Sequence, residues 1–485
     1  MVEDLLKAAL DAARGTGVRY AEVRLYSDYR HEYLAIKNGQ TEVLTSRDDR
    51  GLGVRVLRPK GWGFGATSVL TREAVREAAL RADRMARSAE ATGSEIPWTE
   101  EAHLPHQGHY ASSVREDPFE VPLEEKVALL SDAVRGLQVG PAVKVGRAEL
   151  SAWKEEKHFL SSEGASYVSQ ITHVGAGMVA MALEGGEMQL RSYPTSFGGD
   201  FAQGGFEHIR SWDLPGHAAE TGHTAVALVT APVAPSGVMN LVLASDQLAL
   251  QVHESVGHAT ELDRVLGYEA GYAGTSFVRT QDRGSLRYGS PRMTIVADAT
   301  VPGALGTFGW DDEGTPAQRV EIVKEGIHTG FLSSRETAAR INLPRSGGAM
   351  RGEGPLRTPL IRMTNVNLLP GDHSPQELIQ EAKKGIYLET NVSWSIDDKR
   401  LNFQFGCEVG RVIENGELGP LVRNPLYSGM TPVFWNSLRA TSNPSTWHVW
   451  GIPNCGKGQP GQAMHVGHGA PMGLFENVRV GGGTL

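Results

Sequence analysis

Cysteine is nearly missing from this sequence, with two residues in 485, Cys407 and Cys455. Two thiols cannot build a disulfide framework, so buried cores must hold the chain together, and either thiol is left free for chemistry. A reducing, cytoplasmic setting is the expectation. A surplus of charge of one sign is also missing. The 47 basic and 56 acidic residues are interspersed and leave a net charge of −9, which excludes the basic footprint of a nucleic-acid-binding protein. No apolar run is long enough to span a bilayer. The opening MVEDLLKAALDAARG mixes charges with leucine and alanine at helical spacing, which predicts an amphipathic helix, with no signal peptide and no membrane partner.

What the chain has is length enough for two or three domains, with strand and helix signals in alternation. Residues 1–14 read as a helix. Short alternating segments follow at Val18–Tyr26, His31–Lys37, Thr41–Ser46, Gly53–Leu57 and Gly63–Thr67. Asn38-Gly39 between two of them is a type I′ hairpin signal. Thr71 then caps a helix to about Glu90, and after a polar connector the order repeats, with a helix at Leu123–Arg135 followed by strands between Val143 and Leu183. Leu214–Thr230 is one more helix. The composition shifts at Ala231-Pro-Val-Ala-Pro-Ser-Gly237, which suggests a boundary between an N-terminal α+β domain, 1–230, and a C-terminal domain, 231–485. The second part is mostly strand and loop. Its short helices are expected at Ser334–Ile341 and Ser374–Lys384, the latter opening on a capping box with proline in the first turn.

The chemistry concentrates at His253-Glu-Ser-Val-Gly-His258. It reads H-E-x-x-x-H, one residue longer than the H-E-x-x-H of common zinc peptidases. Leu248, Val252, Val256, Ala259 and Leu262 form one apolar stripe, with Ser245 as a candidate cap, so a helix can bury one flank and offer two imidazoles and a carboxylate from another. On a regular helix, positions five apart point about 140° away from each other. A π-bulge, with the hydrogen bond running i to i+5, brings them back to one side, and Gly257 is the residue best suited to allow it. A catalytic zinc site takes three protein ligands and leaves a fourth position to water. His253 and His258 supply two. Cys455, Cys407, His465, His468, Glu261 and Asp263 are the candidates for the third. Cys455 lies among glycines beside Lys457, which favours a thiolate, whereas Cys407 sits in an alternating run that reads as core. Glu261 and Asp263 suit the non-ligating imidazole nitrogens. Glu254, beside the metal, has the role of general base on the attacking water.

These residues and a series of further stretches resemble the TldD/PmbA family of metallopeptidases, the modulator-of-gyrase family, in its TldD branch. The further stretches are Asp311-Asp-Glu-Gly-Thr-Pro-Ala-Gln-Arg319, Ser334-Arg-Glu-Thr-Ala338, Arg362-Met-Thr-Asn365, Pro370-Gly371, Gly385-Ile-Tyr387, Ile413-Glu-Asn-Gly416 and Cys455-Gly-Lys457, in one order over some 240 residues. The resemblance implies zinc held by His253, His258 and Cys455 with Glu254 as the catalytic carboxylate. It also implies a two-domain α+β subunit, with helices and antiparallel hairpins first and a β-rich metal-binding domain second. The implied partners are a short or unfolded peptide substrate and, in a dimer, either a second copy or a PmbA-like subunit. Ala244-Ser245-Asp246 and the stretch from Ser346 to Pro359 depart from the family's pattern. The competing expectation is a non-catalytic assembly subunit with a structural zinc, which needs a fourth protein ligand such as His465 or His468.

Overall fold

Asn38-Gly39 makes the turn its dipeptide calls for, with φ of 49° and 79°, but the strands it joins run well beyond the expected segments. The computed structural model describes residues 1–100, 106–458 and 460–483, and its fold is α+β. In it β1 (Tyr20–Lys37) and β2 (Gln40–Arg58) are single strands. The polar residues that seemed to interrupt them stay paired, and a register shift between Tyr26 and Tyr29 absorbs the irregularity. β3 (Gly61–Thr67), β4 (Gln107–Ala111), β5 (Val143–Ser161), β6 (Ser166–Glu184), β7 (Glu187–Tyr193) and β8 (Asp200–Gln203) complete one eight-stranded sheet. Its order is β3-β2-β1-β5-β6-β4, with β7 and β8 also paired to β6. The two helix-then-strand halves thus fuse along the antiparallel β1–β5 ladder.

Helices cover this sheet as two clusters. α1 (Val2–Ala13) and α2 (Arg72–Glu90) pack on β1 and β2, while α3 (Leu123–Leu137) and α4 (Leu214–Thr230) pack on β5 and β6. The alanine-rich face of α2 has a specific cause. Gly61, Gly63 and Gly65 lie directly beneath Ala86, Ala82 and Ala78, and a Cβ at Gly63 would stand 1.9 Å from the Ala82 carbonyl oxygen. Period two on the strand meets period four on the helix, and backbone touches backbone.

After the 231–237 segment the topology changes. β9 (Gly237–Leu243), β10 (Gly385–Ile396), β11 (Asn402–Glu414), β12 (Pro425–Met430) and, past the hairpin β13–β14 (His448–Lys457 and Gln462–Ala470), β15 (Gly473–Gly482) carry the second half. β9 pairs with β10 and β15, β15 with β12, β12 with β11, and β11 with β10, which closes a five-stranded ring. Leu241 and Leu243 share a core with Phe403, Phe405, Tyr427 and the apolar stripe that begins at Leu248, while Val242 between them faces Leu378 and Ile379 on the far side. β9 therefore aims the helix that follows it into the core.

The acidic stretch 311–319 proves to be a fastener between the two parts. Asp312, fully buried, accepts from Arg24 Nη1 at 3.1 Å and from Lys157 Nζ at 2.7 Å, both on the first sheet. Burial pushes its carboxyl up, but Lys157 and Arg24 pull it below the ordinary range. Glu313 pairs with Arg55 at 2.9 Å and accepts from the Arg335 backbone N–H at 2.8 Å. Breaking a buried pair strands the remaining charges. Asp312→Ala is expected to lower stability by about 3–5 kcal/mol, read as a drop in the denaturant midpoint, with Asp312→Asn intermediate.

Candidate metal centre

The helix after β9, α5 (Ser245–Val252), leads into a π turn at His253–Gly257 and a short 3₁₀ turn at His258–Thr260. The His258 backbone N–H donates to the His253 carbonyl, the i to i+5 bond that the H-E-x-x-x-H spacing requires. Both imidazoles consequently fall on one side, with ring centroids 4.8 Å apart. Leu248, Val252, Val256, Ala259 and Leu262 are all buried on the other flank. The widened turn is braced from outside. Tyr288 donates its hydroxyl to the Ser255 carbonyl, and the Ser255 hydroxyl donates to Gln251 O at 2.6 Å and accepts from Trp435 Nε1 at 2.9 Å.

Gly257 lies in the π turn as expected, with right-handed dihedrals, φ −52° and ψ −65°, and its missing side chain leaves room for Met363, whose Sδ a Cβ there would meet at 2.1 Å. One local expectation needs correction. Ser245 does not cap the helix. It is the first helical residue, and its hydroxyl donates to Ala470 O at 2.6 Å and accepts from Trp450 Nε1 at 2.8 Å, which ties the helix start to the β13–β14 hairpin.

That hairpin brings the sulfur. Cys455 lies on β13 and not in a loop, just past a register shift between Ile452 and Cys455 that re-aims the strand. Its Sγ stands 3.7 Å from His258 Nε2, and one ligand atom each from His253, His258 and Cys455 lie within 4.8 Å of one another, all three residues buried. Among the described residues this is the one such group of His, Cys, Asp or Glu side chains. Cys407 is not part of that group; it is buried among apolar side chains.

Hydrogen-bond partners decide which nitrogens face the centre. His258 Nδ1–H donates to Glu261 Oε2 at 2.9 Å, leaving Nε2 with its lone pair toward Cys455. His468 Nδ1–H donates to the Val366 carbonyl at 3.1 Å, so its Nε2 accepts from His253 Nδ1–H at 2.8 Å, and His253 is likewise left with a free Nε2. Burial holds both His253 and His258 below the ordinary imidazole pKa, which keeps them neutral and able to ligate. Burial pushes the Cys455 thiol up, but His258 and then Arg362 pull it below its usual value. Lys457 is not the cation responsible: it is spent on Asp263 at 2.8 Å, Glu269 at 3.2 Å and Glu261 at 3.3 Å. Neither extra histidine joins the group. Both His468 nitrogens are engaged, and His465 pairs with His173 at 2.8 Å.

Glu254 faces the same cleft, a space of about 340 Å³ beside the three donors. Its Oε2 accepts from Arg400 Nη1 at 2.6 Å, and Oε1 has no hydrogen bond among the described residues. Arg400 is a site residue that sequence reasoning missed. It sits in the Asp397-Asp-Lys-Arg400 turn with φ of 61°, and the only signal was a turn between two strands.

Residues 21–86, 116–229 and 236–482 match, in order, domain 1, the central domain and the C-terminal domain of the PmbA/TldA metallopeptidases. The chain belongs to the PmbA/TldD family. A curated metalloprotease of Methanocaldococcus jannaschii is 30% identical over 92% of this chain and 95% of its own length. A zinc metalloprotease TldD homolog of Saccharolobus solfataricus is 27% identical over 51% of this chain and 52% of its own. Two solved structures share the fold. One is a proposed modulator of a DNA gyrase from Thermotoga maritima, with a TM-score of 0.75 at 18% identity, covering 99% of this chain and 100% of that one. The other is TldE from Thermococcus kodakarensis, with a TM-score of 0.71 at 18% identity and coverage of 99% and 100%. The chain is thus a member of a metallopeptidase family, and its three clustered donors and Glu254 all fall within the C-terminal family domain.

The hydrogen bonds behind the imidazoles carry a measurable consequence. Glu261→Gln and His468→Ala are each expected to weaken divalent-metal binding by roughly 10–100-fold in chelator competition. Cys407→Ala, in the core, is expected to leave it unchanged.

Proposed function

We propose that the chain is a zinc-dependent peptidase acting on short or unfolded peptides, including the trimming of peptide precursors. The donor set supports the metal: two neutral imidazoles and a sulfur with a lowered pKa are the ligands of tetrahedral zinc sites that keep an open position. Bound there, zinc supplies Lewis acidity toward a carbonyl and lowers the pKa of water. His253, His258 and Cys455 hold it, and Glu254 does the proton work. The observation that carries the reading is Glu254 itself, which a purely structural site would not need in the cleft.

Arg400 holds one carboxylate oxygen of Glu254, a residue that lines the cleft, and leaves Oε1 without a hydrogen bond among the described residues. Oε1 accepts the proton of the attacking water and returns it to the departing amine. Because Arg400 anchors the other oxygen, the carboxylate need not reorient between the two transfers. A catalytic rather than structural role also fits the engagement of His465 and His468 elsewhere. We further take the chain as two domains, 1–230 and 231–485, dimeric with itself or a PmbA-like subunit, in the cytoplasm. The compartment is supported by two cysteines that are both free thiols.

Glu254→Gln is expected to retain zinc at the wild-type stoichiometry and to lower kcat on unfolded peptides by on the order of 10²–10⁴. Chelation of the wild type should abolish cleavage and added zinc restore it. Wild-type turnover by the glutamine variant would refute the role assigned to Glu254.

A further inference from the structure

Two aromatic rings stand exposed on the rim of the metal cleft. Phe197 is 53% and Trp394 46% exposed, and they meet edge to face with centroids 5.2 Å apart at 81°. They come from different parts of the chain: Phe197 from the loop after β7, Trp394 from near the end of β10. Both line the space that also holds Glu254 and Cys455.

The backbone is strained to put them there. Phe197 has φ of 56° and Thr390 φ of 58°, left-handed values that cost a non-glycine residue energy. β10 is bulged between Asn391 and Ser393, immediately before Trp394. Strain spent on presenting apolar rings to water gains nothing for folding, since rings are stabilised by being covered.

One residue registers both to the metal helix. Asp246 Oδ2 accepts from Thr195 Oγ1 at 3.0 Å, two residues before Phe197, and from Thr390 Oγ1 at 2.8 Å, four before Trp394. Asp246 lies in the first turn of α5, the helix that runs into His253 and Glu254. The distance between the rings and the chemistry is therefore set through one carboxylate.

We infer that Phe197 and Trp394 form a subsite that takes a large apolar or aromatic side chain of the peptide beside the bond that is cut, with Asp246 as its positioning residue. The occupant is a substrate side chain because the rings open onto the same cleft as Glu254, with Leu250 and Ile452 continuing the apolar wall inward. The inference rests on the peptidase reading for cleavage but not for binding.

The test uses paired peptides identical except for Phe or Ala at one position, scanned across the scissile bond. The wild-type protein is expected to favour Phe at one position next to that bond by on the order of 10–100-fold in kcat/KM. Phe197→Ala and Trp394→Ala, at exposed rings, should fold normally and each bring the ratio down by about tenfold. Asp246→Ala, which removes no ring, should also lower the ratio. Unchanged ratios in both ring variants, or no preference at any position, would overturn the subsite. So would a change of assembly state with selectivity intact, since a second copy would then be what covers the rings. Calorimetry of the same peptides on the Glu254→Gln protein separates the two readings. Phe preference in binding, lost in Trp394→Ala, without cleavage by the wild type would sink hydrolysis and keep the subsite. Cleavage without preference would do the reverse.

Discussion

Everything at the centre depends on a single hydrogen bond of unusual reach, from the His258 backbone N–H to the His253 carbonyl. With the two rings five positions apart in sequence, a regular helix would send the imidazoles about 140° away from each other. The widened turn cancels that divergence, and the turn survives because its neighbours bond to its polar groups. Tyr288, Trp435 and Gln251 all engage Ser255. Met363 fills the notch at Gly257, where a Cβ would stand 2.1 Å from its Sδ. The local conformation is weak by itself and is imposed by tertiary contacts, the usual state of a π turn at a functional site.

The same logic explains why the third donor comes from 197 residues away. A helix flank can present two ligands but cannot surround an ion, so the remaining face must be supplied by another element. The β13–β14 hairpin does this, and it is not free to drift. Ser245 bonds to Ala470 and Trp450 at the helix start, and Lys457 is held among Asp263, Glu269 and Glu261 at the other end. Glu261 is shared: one oxygen orients His258 and the other lies 3.3 Å from Lys457. The orientation of the His258 ring and the position of the strand carrying Cys455 are thus coupled through one buried carboxylate.

Much of this was legible in the residues, and the illegible part has physical causes. The helix, its apolar stripe and the need for an inserted residue follow from periodicity and spacing. The Asn38-Gly39 hairpin, the Thr71 cap and the capping box from Ser374 to Glu377 follow from local chemistry, and the structure has all three. Strand length was misread because polar side chains at Asp28–His31 break an apolar pattern without breaking a ladder. Lys457 looked like the cation beside Cys455 by proximity in sequence. The ladder is unbroken from Cys455 to Lys457, but the Lys457 ammonium is neutralised by three carboxylates, Glu261, Asp263 and Glu269, that local sequence does not place beside it. Arg400 was invisible because a turn residue's partner 146 positions away leaves no trace in local pattern.

The first turn of the metal helix connects chemistry to selectivity. Ser245 and Asp246 are neighbours with opposite duties. Ser245 reaches the hairpin that carries the sulfur, and Asp246 reaches the two rim segments that carry the aromatic rings. Because His253 and Glu254 ride on the same rigid rod about two turns further on, a shift of that first turn would move donors, base and rim together. The arrangement lets substitutions at the rim alter what enters the cleft without altering the spacing of the donors. It also means that Asp246, whose carboxylate accepts from Thr195, Thr390 and the Gln247 backbone N–H, links the start of the helix that carries Glu254 to the two segments that carry the rings. Geometry at the centre and geometry at the mouth are therefore two readouts of one helix start.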